Sequence, residues 1–183
     1  MNLTLPTAHG GRHDGPTIAL HWITAFLVVA NFLLAEFWGF FPKPDRHLMI
    51  VTHMSFGLLL TAVLVLRLFW RAQPRASHFN DGKDLLNIAA RGLHHLLYLL
   101  LAVEIVLGFL TRWTDNQALS FFGLMIPSPF GTFSKATGHF TDQLHDITAW
   151  TIIVLAGLHA AAALLHHYVL KDGVLRRMMP GQG

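Results

Sequence analysis

Four stretches of this chain are apolar over about the 20 residues that a helix needs to cross the roughly 30 Å core of a bilayer. They run from Ile18 to Phe41, Leu48 to Trp70, Leu93 to Thr111 and His145 to Leu170. In lipid only a helix or a closed barrel satisfies its own backbone. The sequence therefore predicts an all-α integral membrane protein, a four-transmembrane-helix bundle. Composition agrees. Charged residues make up 13% of the 183, about half the roughly 25% of a soluble domain, and mean hydropathy is +0.47. That is too little charge to coat a globular surface, which argues against a soluble enzyme and rules out a disordered or repetitive chain. There is no cysteine. Disulfides, thiolate metal sites, iron–sulfur ligation and covalent c-type haem attachment are excluded with it.

Three parts follow: a tail over 1–17, a membrane domain over 18–170 and a short basic tail over 171–183. Pro42 to His47 reads as a tight turn. Arg71 to Gly92 is a polar connection holding Pro74, Asp81 and Gly82. Arg112 to Leu144 is the longest connection, and its segment SFFGLMIPSPFG is too short and too broken by proline to span. That segment is expected at the membrane interface or as a cap on the bundle. The start of the chain does not read as a cleaved signal peptide, since the first span is too long for one. Lys and Arg divide unequally between the two sides. Arg12, Arg67, Arg71, Arg75, Lys83, Arg91, Lys171, Arg176 and Arg177 fall on one side, and Lys43, Arg46, Arg112 and Lys135 on the other. The bias puts both termini in the cytoplasm. It also accounts for a pI near 9.7 without nucleic acid, because basic flanks meet anionic lipid.

The 13 histidines equal the whole Lys and Arg count. Ionisable residues inside a span are costly and mark function. His9, His13, His47, His78 and His139 fall in tails or connections and read as solvated. Inside the spans, His145 and His159 are 14 residues apart, about 40° short of four full turns, so they share a helix face about 21 Å apart in depth. His53 enters near the outer end of the second span and can meet His145. His21 enters near the inner end of the first and can meet His159. Two cross-helix imidazole pairs at two depths are what two stacked b-type haems require. Arg67 lies 14 residues beyond His53, at the inner level, and its guanidinium suits a haem propionate; a membrane-surface anchor is the simpler alternative. Gly57, one turn after His53, gives either clearance for a flat macrocycle or a helix–helix contact. His94, His95, His166 and His167 lie at the cytoplasmic ends of the third and fourth spans, at the interface or beside the inner haem. Glu36 and Glu104 either relay protons or accept hydrogen bonds from neighbouring helices.

The blocks IALHWITAFLVVANFLLAEFWGFFPKPDR, THMSFGLLLTAVLVLRLFWR, GLHHLLYLLLAVEIVLGFL, FFGLMIP, LHDITAWTIIVLAGLHAAAALLHHY and LKDGVLRRMMP resemble the bacterial cytochrome b561 family over Ile18 to Pro180. The resemblance implies a four-helix protein of the bacterial inner membrane with two non-covalent b haems. By motif its ligands fall on His21 in LHW, His53 in THMSFG, His145 in LHDITAW and His159 in GLHAAAALLHHY. Within the family at least one member is a superoxide oxidase that passes electrons to ubiquinone. Two departures stand out. The stretch before Pro16 is longer than the family pattern, and Arg91 stands one turn before His94 where relatives carry a second histidine.

The function expected is electron transfer from a small periplasmic donor to ubiquinone, with superoxide as the donor the resemblance implies. Lys43, Arg46, Arg112 and Lys135 at the outer end predict steering of an anionic donor. The alternative is a cytochrome b anchor subunit linking a dehydrogenase or hydrogenase partner to the quinone pool. A histidine-rich metal transporter is the third reading. It is disfavoured because Asp146 lies about 100° round the helix from His145 and cannot share its ligand face.

Overall fold

The computed structural model describes residues 13–73 and 85–179. Arg12, Arg75, Lys83, His9, His78 and Pro180, with most of the polar second connection, lie outside the described residues. Four long helices carry the fold, and all four are long and apolar enough to cross a membrane. The chain is a membrane-spanning helical bundle.

Helix α1, Gly15–Phe37, has Pro16 in its first turn, where the missing N–H has no helical partner to lose. It closes in a 3-10 turn, Trp38–Phe40. Helix α2, Lys43–Ala72, also has a proline in its first turn and stops two residues before Pro74, whose ring disfavours helix in the residue before it. Helix α3 runs over Leu85–Thr114. Helix α4, Lys135–Leu165, is capped by Ser134, whose hydroxyl accepts the Thr137 N–H at 3.2 Å, and it continues into one π-helical turn, His166–Leu170.

The helices outrun the apolar stretches. Helix α4 begins ten residues ahead of His145, so the expected connection Arg112–Leu144 shrinks to Asp115–Ser134. The expected turn Pro42–His47 becomes mostly the first turns of α2. Lipid ends where apolar residues end, but a helix continues until a cap or a proline stops it. The shortened connection holds a β-hairpin, strands β1 Leu119–Phe121 and β2 Leu124–Ile126. Leu119 pairs with Ile126 and Phe121 with Leu124. Its two-residue turn is Phe122 (φ 45) and Gly123 (φ 97), the left-handed pair that matches strand twist. Ser55 of α2 fastens the hairpin. Its side chain is wholly buried, donates to the Val51 carbonyl and accepts the Phe122 N–H, each at 2.8 Å.

Helix α1 packs chiefly on α2 and α3 on α4, while the two pairs touch only sparsely. Between α3 and α4 the contact is close. A Cβ on Gly138 would stand 2.7 Å from Asp115 Oδ1, and the Thr114 and Thr141 hydroxyls are 2.7 Å apart. Both described chain ends gather at one end of the bundle. There the Trp22 indole N–H donates to the Met178 carbonyl at 2.7 Å, and the Trp70 indole N–H donates to Asp14 at 2.8 Å. We call this the lower end. The buried cluster Leu27, Leu60, Leu64 and Leu101 lies at mid-depth, since Leu60 is seven residues, about 10 Å, below His53. The outer faces are apolar and bare: Phe26, Val65, Leu99 and Leu158 are each at least 60% exposed, as lipid contact requires.

Candidate haem sites

In the upper half, α2 and α4 bring His53 and His145 together. Their ring centres are 6.2 Å apart and nearly perpendicular, at 85°. In the lower half, α1 and α4 bring His21 and His159 to 6.4 Å and 69°. A metal about 2.0 Å from the nitrogen of each of two opposed imidazoles, plus about 1.1 Å from nitrogen to ring centre, separates the centres by about 6.2 Å. Both separations fit one iron between two rings. All four histidines are half-buried.

The upper pair borders a cavity of about 410 Å³ between the two helix pairs, edged by Gly57 and Gly108 and floored by Leu60 and Leu101. Among the described residues, six buried side-chain polar atoms have no hydrogen-bond partner. Four of them, on Asn31, Glu104, Thr111 and Arg112, belong to residues lining this cavity, and a fifth, His145 Nδ1, has Glu104 Oε1 beside it at 3.0 Å. Orphaned buried polar atoms are costly and rare, and their concentration here marks a site built for a ligand with polar edges on an apolar body. A b-type haem answers that description, with an apolar macrocycle, a metal for the imidazoles and carboxylates for Arg112.

The ring nitrogens have distinct partners. His53 Nδ1 lies 3.0 Å from the Asn31 carbonyl oxygen, a contact that favours Nδ1–H and leaves the Nε2 lone pair free for a metal. His145 Nδ1 lies 3.0 Å from Glu104 Oε1. His145 also rests on Gly108: a Cβ there would stand 3.3 Å from its Cε1. Around Gly57 such an atom would meet nothing within 4 Å, so Gly57 faces the cavity and makes no helix–helix contact.

At the lower site Arg67 Nη2 is 3.3 Å from His21 Nδ1, and its guanidinium lies over the Tyr98 ring at 4.9 Å. Arginine only donates, so this contact needs an unprotonated Nδ1. A neutral His21 bound through Nε2 carries the proton on Nδ1, so ligation and this contact exclude one another, and Arg67 is released for a carboxylate. The His94 ring is 4.9 Å from that of His159, too close for a metal between them. The His94 and His95 Nδ1 atoms lie 2.7 and 2.8 Å from the carbonyls of Ala90 and Arg91. His166 bonds Asp172 beyond the end of α4.

The upper end holds carboxylates as well as the cations read from the sequence. Arg46 is tied to the α1–α2 turn, donating to the carbonyls of Gly39 and Phe41 at 3.0 and 3.4 Å. Glu36, Glu104, Asp115, Asp142 and Asp146 line the upper cavity against a single cation, Arg112. Steering was read from cations alone, and the folding of α3 and α4 brings carboxylates to the same mouth. Asn31 and Gly108 escaped the sequence reading, and Arg112 was read only as an outer-end cation. A backbone carbonyl leaves no mark in a sequence, whereas the i,i+4 spacing of Glu104 and Gly108 on one face of α3 was available.

A membrane bundle with paired imidazoles on facing helices and a cavity between them defines a class, the membrane cytochromes that hold haem between helices and carry electrons. The sequence comparisons are specific. The model of the family "prokaryotic cytochrome b561" matches residues 12–181. The chain is 33% identical over 177 residues to cytochrome b561 homolog 2 of Escherichia coli, covering 92% of this chain and 91% of that protein. It is 30% identical over 167 residues to the "probable superoxide oxidase CybB" of Yersinia pestis, covering 89% and 93%. It is 32% identical over 171 residues to cytochrome b562 of Cereibacter sphaeroides, covering 88% and 91%. The chain belongs to the prokaryotic cytochrome b561 family: it is a multi-pass membrane cytochrome b, a b-type haem protein of electron transport.

Proposed function

We propose that this protein is a di-haem oxidoreductase of the bacterial inner membrane, with both termini cytoplasmic, that takes electrons from a small periplasmic donor and delivers them to ubiquinone. The observation that carries the reading is the pair of imidazole pairs at 6.2 and 6.4 Å, drawn from three helices at two depths. In this reading His53 and His145 hold the upper haem and His21 and His159 the lower one. When bound, the haem supplies reversible one-electron chemistry at each site. The chain does the rest. The Asn31 carbonyl fixes the His53 ring, Gly57 leaves the macrocycle its clearance, and Gly108 lets α3 lie against His145. Arg112 above and Arg67 below neutralise carboxylate edges. The leucine cluster between the levels excludes water, so electrons cross and protons do not.

Superoxide is the donor named for the Yersinia relative, and it enters here as the first donor to test. The acidic lining of the upper cavity admits a neutral donor without electrostatic cost and opposes an anion. Enzymatically generated superoxide is expected to reduce the haem bands of the purified protein, faster as ionic strength rises, because salt screens repulsion as well as attraction. Ubiquinone is expected to reoxidise them. Failure of the first step overturns the donor; failure of the second overturns the acceptor. The same carboxylates favour a second reading, an anchor subunit that docks a basic soluble partner, which co-purification of a dehydrogenase or hydrogenase from the native membrane would support.

A further inference from the structure

The surroundings of the two imidazole pairs differ in charge, and the difference is built from this chain's own residues. At the upper site His145 Nδ1 lies beside a carboxylate, Glu104 Oε1 at 3.0 Å. His53 Nδ1 lies beside a neutral backbone carbonyl, that of Asn31, at 3.0 Å. Around them stand Glu36, Asp115, Asp142 and Asp146, with Arg112 the one cation lining that cavity. At the lower site the ionic group beside His21, among the described residues, is a cation, Arg67, which lies over the Tyr98 ring at 4.9 Å and is free for a carboxylate once His21 ligates. A second cation, Arg71, lies 5.8 Å from the centre of the same Tyr98 ring that Arg67 covers. The leucine cluster keeps the two levels apart in an apolar medium, where such fields are weakly screened.

Gaining an electron lowers the charge of a site by one. Carboxylates nearby oppose that change and cations favour it. A carboxylate accepting the Nδ1–H of a ligating histidine also raises the basicity of the ring and stabilises the oxidised metal. We infer that Glu104 is a positioning residue that acts through His145 to hold the upper couple at a lower reduction potential than the lower couple, which Arg67 raises. The inference rests on the two-haem reading above and deepens it. Electrons that enter at the upper end then run downhill toward the end that carries the termini. Each site gains and loses one electron, and no proton or bond change is involved.

The test is spectroelectrochemistry on the purified, haem-loaded protein, with a pyridine haemochrome count of every sample. H159A leaves the upper haem alone and H145A leaves the lower one alone. The upper-only protein is expected to have the lower midpoint. E104Q, which keeps shape and removes charge, is expected to raise the lower-potential step by at least a tenfold change in its reduction constant, about 59 mV for a one-electron couple. The other step should stay in place. R67Q is expected to lower the higher-potential step. A merely structural role for Glu104 would change haem content and leave the midpoint alone. Equal midpoints, a reversed order, or an E104Q protein with two haems and unmoved midpoints overturns the inference. Should E104Q lose its upper haem, the two single-haem proteins still decide the order. A wild-type count of one haem per chain defeats the reading beneath it, whereas two haems of equal potential defeat the inference alone.

Discussion

Replacing Gly57 with leucine separates a cofactor site from a packing site. A Cβ at this position meets nothing within 4 Å, so the protein alone has room for a side chain. Helix propensity rises as well, since Gly→Leu in a helix interior gains roughly 0.7 kcal/mol. The fold of the G57L chain is therefore expected to be at least as stable as the parent's. Gly57 lies one turn below His53 and borders the same cavity of about 410 Å³, so the leucine projects where a macrocycle bound between His53 and His145 must pass. Overpacking a fitted site costs about 1–3 kcal/mol, which weakens retention of a non-covalent group roughly 5- to 160-fold. The expected result is a haemochrome count falling from two per chain toward one, with helical circular dichroism and detergent solubility unchanged. The remaining haem should belong to the lower site, so that combining G57L with H159A abolishes haem. A G57L protein that keeps two haems with an unaltered spectrum refutes the clearance argument, and a G57L protein that fails to fold refutes the claim that the space is open.

Other consequences are smaller. G108A places a methyl 3.3 Å from His145 Cε1, inside the roughly 3.5–4.0 Å of ordinary carbon contact; the ring must give by a few tenths of an ångström, altering the upper haem's absorbance and leaving the lower one's alone. S55A removes the acceptor of the Phe122 N–H at a cost of about 1 kcal/mol, read as a Tm lower by roughly 2–4 °C and faster proteolysis at the hairpin. A reporter fused after Gly183 is expected to be active only if it works in the cytoplasm, and a periplasmic signal reverses the proposed orientation.

Much of this architecture was legible because a bilayer imposes length and a helix imposes angle. Four apolar stretches admit little but four spans. The 14-residue steps from His145 to His159 and from His53 to Arg67 fix faces and depths by arithmetic alone. That arithmetic fails where the chain turns polar. Nothing in the apolar pattern announces that α4 starts at Lys135, because Ser134 and not the lipid boundary begins it. Nor could periodicity show that Phe122 and Gly123 make a hairpin fastened to Ser55. The carboxylates of the upper cavity went unread for a related reason. Asp115 and Asp142 sit beyond the apolar stretches, and only the lengthened α3 and α4 carry them to the cavity. Glu104 was visible as a buried acid. That it faces the Nδ1 of His145 depends on how α3 lies against α4, which Gly108 and Gly138 permit and no local pattern encodes.

The haem-to-protein ratio of the purified wild-type chain, taken with its low-temperature electron paramagnetic resonance spectrum, tests the central claim most directly. Two imidazole pairs at 6.2 and 6.4 Å predict two haems per chain, both low-spin with two histidine ligands, one lost in H145A and the other in H21A. A ratio of one, a high-spin signal from either site, or the loss of both haems on removing either pair alone would contradict it.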